Sequence, residues 1–88
     1  SGKNASLVYR FEAAKVFLVM SSPKPNTVKV FLDGSPIPAD LSGTDVKDSL
    51  ITIEKDRLYH LVNLKTGGVH TLRLEFEPGI SIFAFTFG

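Results

Sequence analysis

Hydrophobic and polar residues alternate with a period of two through most of the chain. Leu7, Tyr9 and Phe11 share one face of an extended segment whose other face carries Arg10 and Glu12. Ala13-Ala14 leads into Lys15-Val16-Phe17-Leu18-Val19-Met20, apolar on both sides, which predicts a central strand covered on each face. Ser21 to Asn26 holds Pro23 and Pro25 and predicts a loop, because two prolines so close remove ladder donors. Thr27 to Leu32 alternates again and ends at Asp33-Gly34, a tight-turn signal since glycine takes positive φ at little cost. Ser35 to Asp48, with Pro36, Pro38 and Gly43, predicts a long irregular crossing. Leu50 to Glu54 follows as a strand and Lys55-Asp56 as a turn. Arg57 to Leu64 reads as the next strand, closed by Gly67-Gly68. In Val69 to Glu77, His70, Leu72, Leu74 and Phe76 face inward while Thr71, Arg73, Glu75 and Glu77 face outward. Pro78-Gly79 then turns the chain into Ile80 to Phe87.

These elements make about seven strands at roughly 8–12-residue spacing, with no substantial helix. The pattern predicts an all-β fold, an antiparallel, jelly-roll-like β-sandwich forming a single domain over residues 1–88. Val16–Met20 and Ile80–Phe87 are the strands expected at its centre.

Composition contributes mainly exclusions. With 43% apolar and 22% charged residues in 88, the chain has the make-up of a folded domain rather than a disordered one. Ten Lys and Arg against nine Asp and Glu leave a net charge of +1. That balance supplies neither an electrostatic footprint for nucleic acid nor a polybasic membrane patch. The longest apolar run, Val16 to Met20, is far shorter than the roughly 20 residues needed to span a bilayer, so no direct membrane insertion is expected. The absence of cysteine removes disulfides, thiolate metal sites and thiol chemistry from this chain.

Candidate chemistry is sparse. Pairing through Gly67-Gly68 would bring His60 and His70 within one or two ladder steps. A metal there would need a further ligand such as Asp56 or Glu75, and nothing fixes one. Asp40, Asp45 and Asp48 surround Gly43 without EF-hand spacing, leaving a calcium ion on loop carboxylates as the option. No serine lies in a nucleophile elbow, and Glu75 with Glu77 reads as a solvated strand face rather than a glycosidase pair. Gly43 and Gly67-Gly68 lack the strand-to-helix setting of a phosphate loop. No catalytic residue, metal or cofactor is expected. The aromatic residues are the better binding candidates. Phe31 falls on the polar phase of its strand and Tyr59 on the phase opposite Leu58 and Val62, so both are expected to be exposed and able to stack on a sugar ring. A free sheet edge could also take a peptide strand through backbone hydrogen bonds.

The run Pro78-Gly79-Ile80-Ser81-Ile82-Phe83-Ala84-Phe85-Thr86-Phe87-Gly88 is the most specific string. Together with Val8-Tyr9-Arg10-Phe11, Val16 to Met20, Leu32-Asp33-Gly34 and Arg57-Leu58-Tyr59, it resembles the C-terminal domain of DipZ-like thiol-disulfide interchange proteins. That resemblance implies a parent related to the cytochrome c biogenesis machinery: a CcdA-like membrane segment, a thioredoxin-like domain, then a β-sandwich similar to carbohydrate-binding modules. It implies a non-catalytic accessory domain, extracytoplasmic in a membrane-anchored parent. Its expected partners are the thioredoxin-like domain of the same chain, an envelope glycan, or a protein substrate. The redox Cys-x-x-Cys would belong to the neighbouring domain. Family members commonly carry a Trp-containing stretch just upstream of the Tyr-Arg-Phe strand, which this sequence does not include. Without that stretch, an open sheet edge is expected.

Overall fold

The computed structural model describes residues 5–54 and 56–88, so Lys55 of the expected Lys55-Asp56 turn lies outside the described residues. Six strands are formed by the described residues: β1 (Ala5–Ser21), β2 (Asn26–Leu32), β3 (Ser35–Pro36), β4 (Leu50–Ile53), β5 (Arg57–Phe76) and β6 (Ser81–Phe87). One turn of 3-10 helix, Ala39–Leu41, is the sole helical element among the described residues. Every strand pairing is antiparallel, in the order β3-β2-β5-β1-β6 with β4 also beside β2. The all-β class predicted from alternation is the one found.

Gly67-Gly68 does not close a hairpin. The two strands expected on either side of it are one strand, the 20-residue β5, and β1 likewise runs 17 residues straight through Ala13-Ala14. A two-residue hairpin needs positive φ at its turn, and only Gly34 and Gly79 among the described glycines take it. Gly67-Gly68 instead belongs to a bulge. The register runs from Ala5↔Phe76 to Ala13↔Gly68 and resumes at Lys15↔Asn63, so Leu64 to Gly67 stand opposite Ala14 alone. Asp33-Gly34 behaves as predicted: both take positive φ and join β2 to β3 through the Leu32↔Ser35 pair.

Each long strand therefore serves two sheet halves. The first half of β1 and the second half of β5 extend through β2 to β3 and β4; the second half of β1 and the first half of β5 extend to β6. The halves enclose one core, in which Val16, Leu18, Met20, Val28, Val30, Ile53, Leu61 and Leu74 are fully buried. Bulges reset which residues point inward. In β5 a second irregularity pairs Val16 with Val62 but Phe17 with His60, leaving Leu61 as the extra residue. Tyr59 and Leu61 point inward before it, and Val62 and Leu64 after it.

Val16–Met20 lies at the centre as expected, flanked by β5 and β6. The expectation for Ile80–Phe87 is corrected: among the described residues β6 is an edge strand, paired with β1 alone, and Ser81, Ile82, Ala84, Thr86 and Phe87 are exposed. Its strong apolar alternation reflects aromatic neighbours on one face rather than strands on both sides.

Candidate functional site

The edge beside the Tyr9 strand is unpaired among the described residues. Residues Ala5 to Ala13 pair with β5 on one side and with no strand on the other among the described residues. The other free edge nearby is that of β6, and rings from both strands meet between them. Tyr9 stacks on Phe85 with centroids 5.1 Å apart and planes 14° from parallel, and on Phe87 at 5.5 Å and 18°. Phe85 and Phe87 lie 5.9 Å apart, and Phe11 reaches Phe87 at 6.2 Å. The local reason is simple alternation: Tyr9 and Phe11 occupy one phase of β1, and Phe85 and Phe87 one phase of β6. The Leu18↔Phe85 register sets their relative height. Such near-parallel offset packing is favourable for aromatic rings. Yet Tyr9 remains 41% exposed and Phe87 38%. A shallow groove of about 250 Å³ lies along Tyr9, Arg10, Phe11, Glu12 and Phe87. Apolar surface and unpaired strand edge thus coincide in one place.

A second, smaller recess of about 160 Å³ sits where the segment 42–45 returns over β5, with Lys15, Phe17, Thr44, His60 and Asn63 in its lining. His60 packs edge-on to Phe17, centroids 4.7 Å apart. The returning segment is held tightly. Gly43 N–H donates to the Leu61 carbonyl at 3.0 Å, and the His60 N–H donates to Asp45 Oδ2 at 2.7 Å. Arg57 grips the same carboxylate with both guanidinium nitrogens, at 2.6 and 3.3 Å. Burial pushes the Asp45 carboxyl up, but the hydrogen bonds from Arg57 and the His60 N–H outweigh it and hold the group below its ordinary range. The hydrogen bond to Asp45 in turn raises Arg57.

The predicted stacking residues fare differently. Tyr59 is 1% exposed and is withdrawn as a platform. Its hydroxyl accepts the Glu54 N–H at 3.2 Å, and the Arg57 guanidinium lies 4.1 Å from its ring centre. The bulge at Leu61 is the physical cause, since it lets Tyr59 and Val62 both point inward despite opposite parity. Phe31 is half-buried rather than free, with the Arg73 guanidinium 4.3 Å from its ring centre. It borders a hollow of about 300 Å³ shared with Lys29, Pro36, Ser49 and Leu50. Structure thus separates Phe31 from Tyr59 rather than bringing them together.

The histidines are also apart. On the continuous β5, His60 is opposite Phe17 and His70 opposite Phe11. His70 Nδ1 lies 2.5 Å from Asp33 Oδ2, while Asp33 Oδ1 accepts the Thr71 N–H at 2.9 Å. These bonds, that of His70 first, lower the Asp33 carboxyl below its ordinary value. Asp45 is committed to Arg57 and His60 rather than to Asp40 and Asp48, and Glu75 pairs with Arg73 at 3.4 Å. Among the described residues, no three His, Asp or Glu side chains gather within reach of one metal ion.

Sequence reasoning missed Tyr9 and Phe87 as surface residues because it set Tyr9 on the apolar phase of its strand and placed the Phe87 strand at the centre. Their signal was the alternation of aromatics on β6 together with the expected open edge at Tyr9.

Residues 1–88 match the family described as the thioredoxin like C-terminal domain, and the chain belongs to that family. No curated protein matches the sequence. One solved structure, of a family two carbohydrate esterase from Clostridium thermocellum in complex with cellohexaose, is similar with a TM-score of 0.70 at 21% identity. The similarity covers 100% of this chain and 25% of that one, so the fold is common to both and the chain spans a quarter of the esterase's length.

Proposed function

We propose that this domain is the non-catalytic docking module of an extracytoplasmic, DipZ-like thiol-disulfide redox protein. In this reading it positions the thioredoxin-like domain of the same chain or receives that domain's protein partners. The observation that carries it is the Tyr9–Phe85–Phe87 cluster, with Tyr9 and Phe87 exposed, beside two strand edges unpaired among the described residues, in a chain matching a thioredoxin-like C-terminal family along its whole length. Thiol chemistry falls to the neighbour, because this chain has no cysteine. A free edge presents backbone N–H and C=O groups to an extended partner segment, and adjoining rings supply the apolar anchors that dominate interface energetics. Isotope-labelled domain mixed with the thioredoxin-like module should show amide shifts concentrated at Val8 to Phe11 and Phe85 to Phe87. Tyr9→Ala should weaken that contact by about tenfold or more. Shifts confined to other surfaces, or none, would refute this docking site.

A second reading, binding of an envelope glycan, is favoured by a different observation: the similar fold in a carbohydrate esterase solved with cellohexaose. Exposed rings suit it as well, since an aromatic side chain couples an apolar body with polar surroundings. Of the two residues first expected to serve a sugar, Phe31 stays accessible and Tyr59 does not.

A further inference from the structure

The recess under segment 42–45 has features that the docking reading leaves unused. We propose that it is a pocket for a single carboxylate-bearing pyranose ring, a uronate residue of a glycan. This inference rests on the glycan reading and deepens it by naming a separate site and a substrate class.

Size comes first. At about 160 Å³ the recess is well below the roughly 300 Å³ at which drug-sized sites begin. That suits one small ring rather than a chain. The lining comes next. Phe17 offers an aromatic surface to ring C–H groups, while Thr44, His60 and Asn63 supply hydroxyl, imidazole and amide hydrogen-bonding groups for ring hydroxyls. This is the mixed apolar and polar lining that small-molecule sites display.

Charge then selects the substituent. Lys15 is one of the lining residues, and no Asp or Glu is among them. The nearby acid, Asp45, has both oxygens engaged, one on Arg57 and the other on Arg57 and the His60 N–H. A carboxylate entering the recess therefore meets a lysine in a lining that holds no acidic side chain, while a neutral sugar forgoes that charge-assisted bond.

Rigidity completes the case. Segment 42–45 is tied to β5 by the Ser42↔Val62 bridge, the Gly43 N–H to Leu61 carbonyl bond and the Asp45 contacts. At Gly43 the backbones approach so closely that a Cβ would stand 2.3 Å from the His60 carbonyl oxygen. The wall is formed before any ligand arrives, so binding does not have to order it.

The test is an amide-shift titration of the labelled domain with D-glucuronate, methyl glucoside and acetate in parallel. D-glucuronate should move the amides of Lys15, Phe17, Thr44, His60 and Asn63, with methyl glucoside and acetate each at least about tenfold weaker. Lys15→Met, at an exposed position, should lose about tenfold in D-glucuronate affinity while leaving the rest of the spectrum in place. No movement with D-glucuronate overturns the proposal. Equal movement with acetate reduces the site to a general anion site and overturns it too; equal movement with methyl glucoside removes the role of charge and does the same. A neutral cello-oligosaccharide, run alongside, separates this inference from the reading beneath it. Shifts at Tyr9 and Phe87 with that ligand, and silence with D-glucuronate, would leave glycan binding standing and the uronate pocket refuted. Silence with both would remove both.

Discussion

Replacing Leu18 with alanine should lower the unfolding free energy by about 2–5 kcal/mol, and Leu74→Ala should do the same. Leu18 is fully buried in β1, with Tyr59 opposite on β5 and Phe85 opposite on β6. Leu74 is its counterpart in the other half, buried in β5 between Leu7 and Val30. Each truncation removes transfer free energy and leaves a cavity, because paired strands on both sides restrict collapse around it. A domain of this size has about 5–15 kcal/mol to lose, so either variant should unfold at markedly lower urea. Val8→Ala, at a site 60% exposed, serves as the control and should stay within about 0.5 kcal/mol. A loss below about 1 kcal/mol at Leu18 or Leu74 would contradict the assigned core.

Gly43→Ala is the second large effect expected. The added methyl would meet the His60 carbonyl oxygen at 2.3 Å, its carbon at 2.4 Å and the Leu61 nitrogen at 2.8 Å. All three are backbone atoms of a paired strand, so neither a rotamer change nor a flexible tip can relieve the clash. Segment 42–45 has to lift away, taking with it the Gly43–Leu61 hydrogen bond and straining the Asp45 contacts to Arg57 and His60. The expected cost is about 3 kcal/mol, at the upper end for overpacking. Hydrogen exchange should accelerate at the His60 amide, whose acceptor is Asp45. Unchanged stability and unchanged exchange would show that the close approach at Gly43 is not a constraint.

Local chemistry made several elements legible in advance. Alternation marked β2 and β4, and the Asp33-Gly34 turn followed from the two positive φ values that a tight hairpin requires. The central place of Val16–Met20 followed from its apolar residues on both phases. Bulges were the obstacle. Gly67-Gly68 has the composition of a turn, and nothing local distinguishes a glycine pair that reverses the chain from one that accommodates Ala14 across a bulge. The same difficulty misplaced Tyr59: one extra residue at Leu61 inverts the parity on which exposure was inferred. Tyr9 and Phe87 failed for a nonlocal reason. Their alternation is that of an interior face, and their exposure depends on strand order, which no single segment encodes. The recess at Phe17 and His60 likewise depends on segment 42–45 returning across β5, a contact between residues distant in sequence.

The central claim is that this cysteine-free domain serves a thioredoxin-like neighbour by docking rather than by chemistry. The most direct measurement compares the full-length parent with a form lacking this domain, assaying thiol-disulfide exchange with a protein substrate and with a small disulfide. Docking predicts a large loss of exchange with the protein substrate and an unchanged rate with the small disulfide. Equal rates on both substrates would contradict the claim, and an equal loss on both would place the domain in the redox machinery itself.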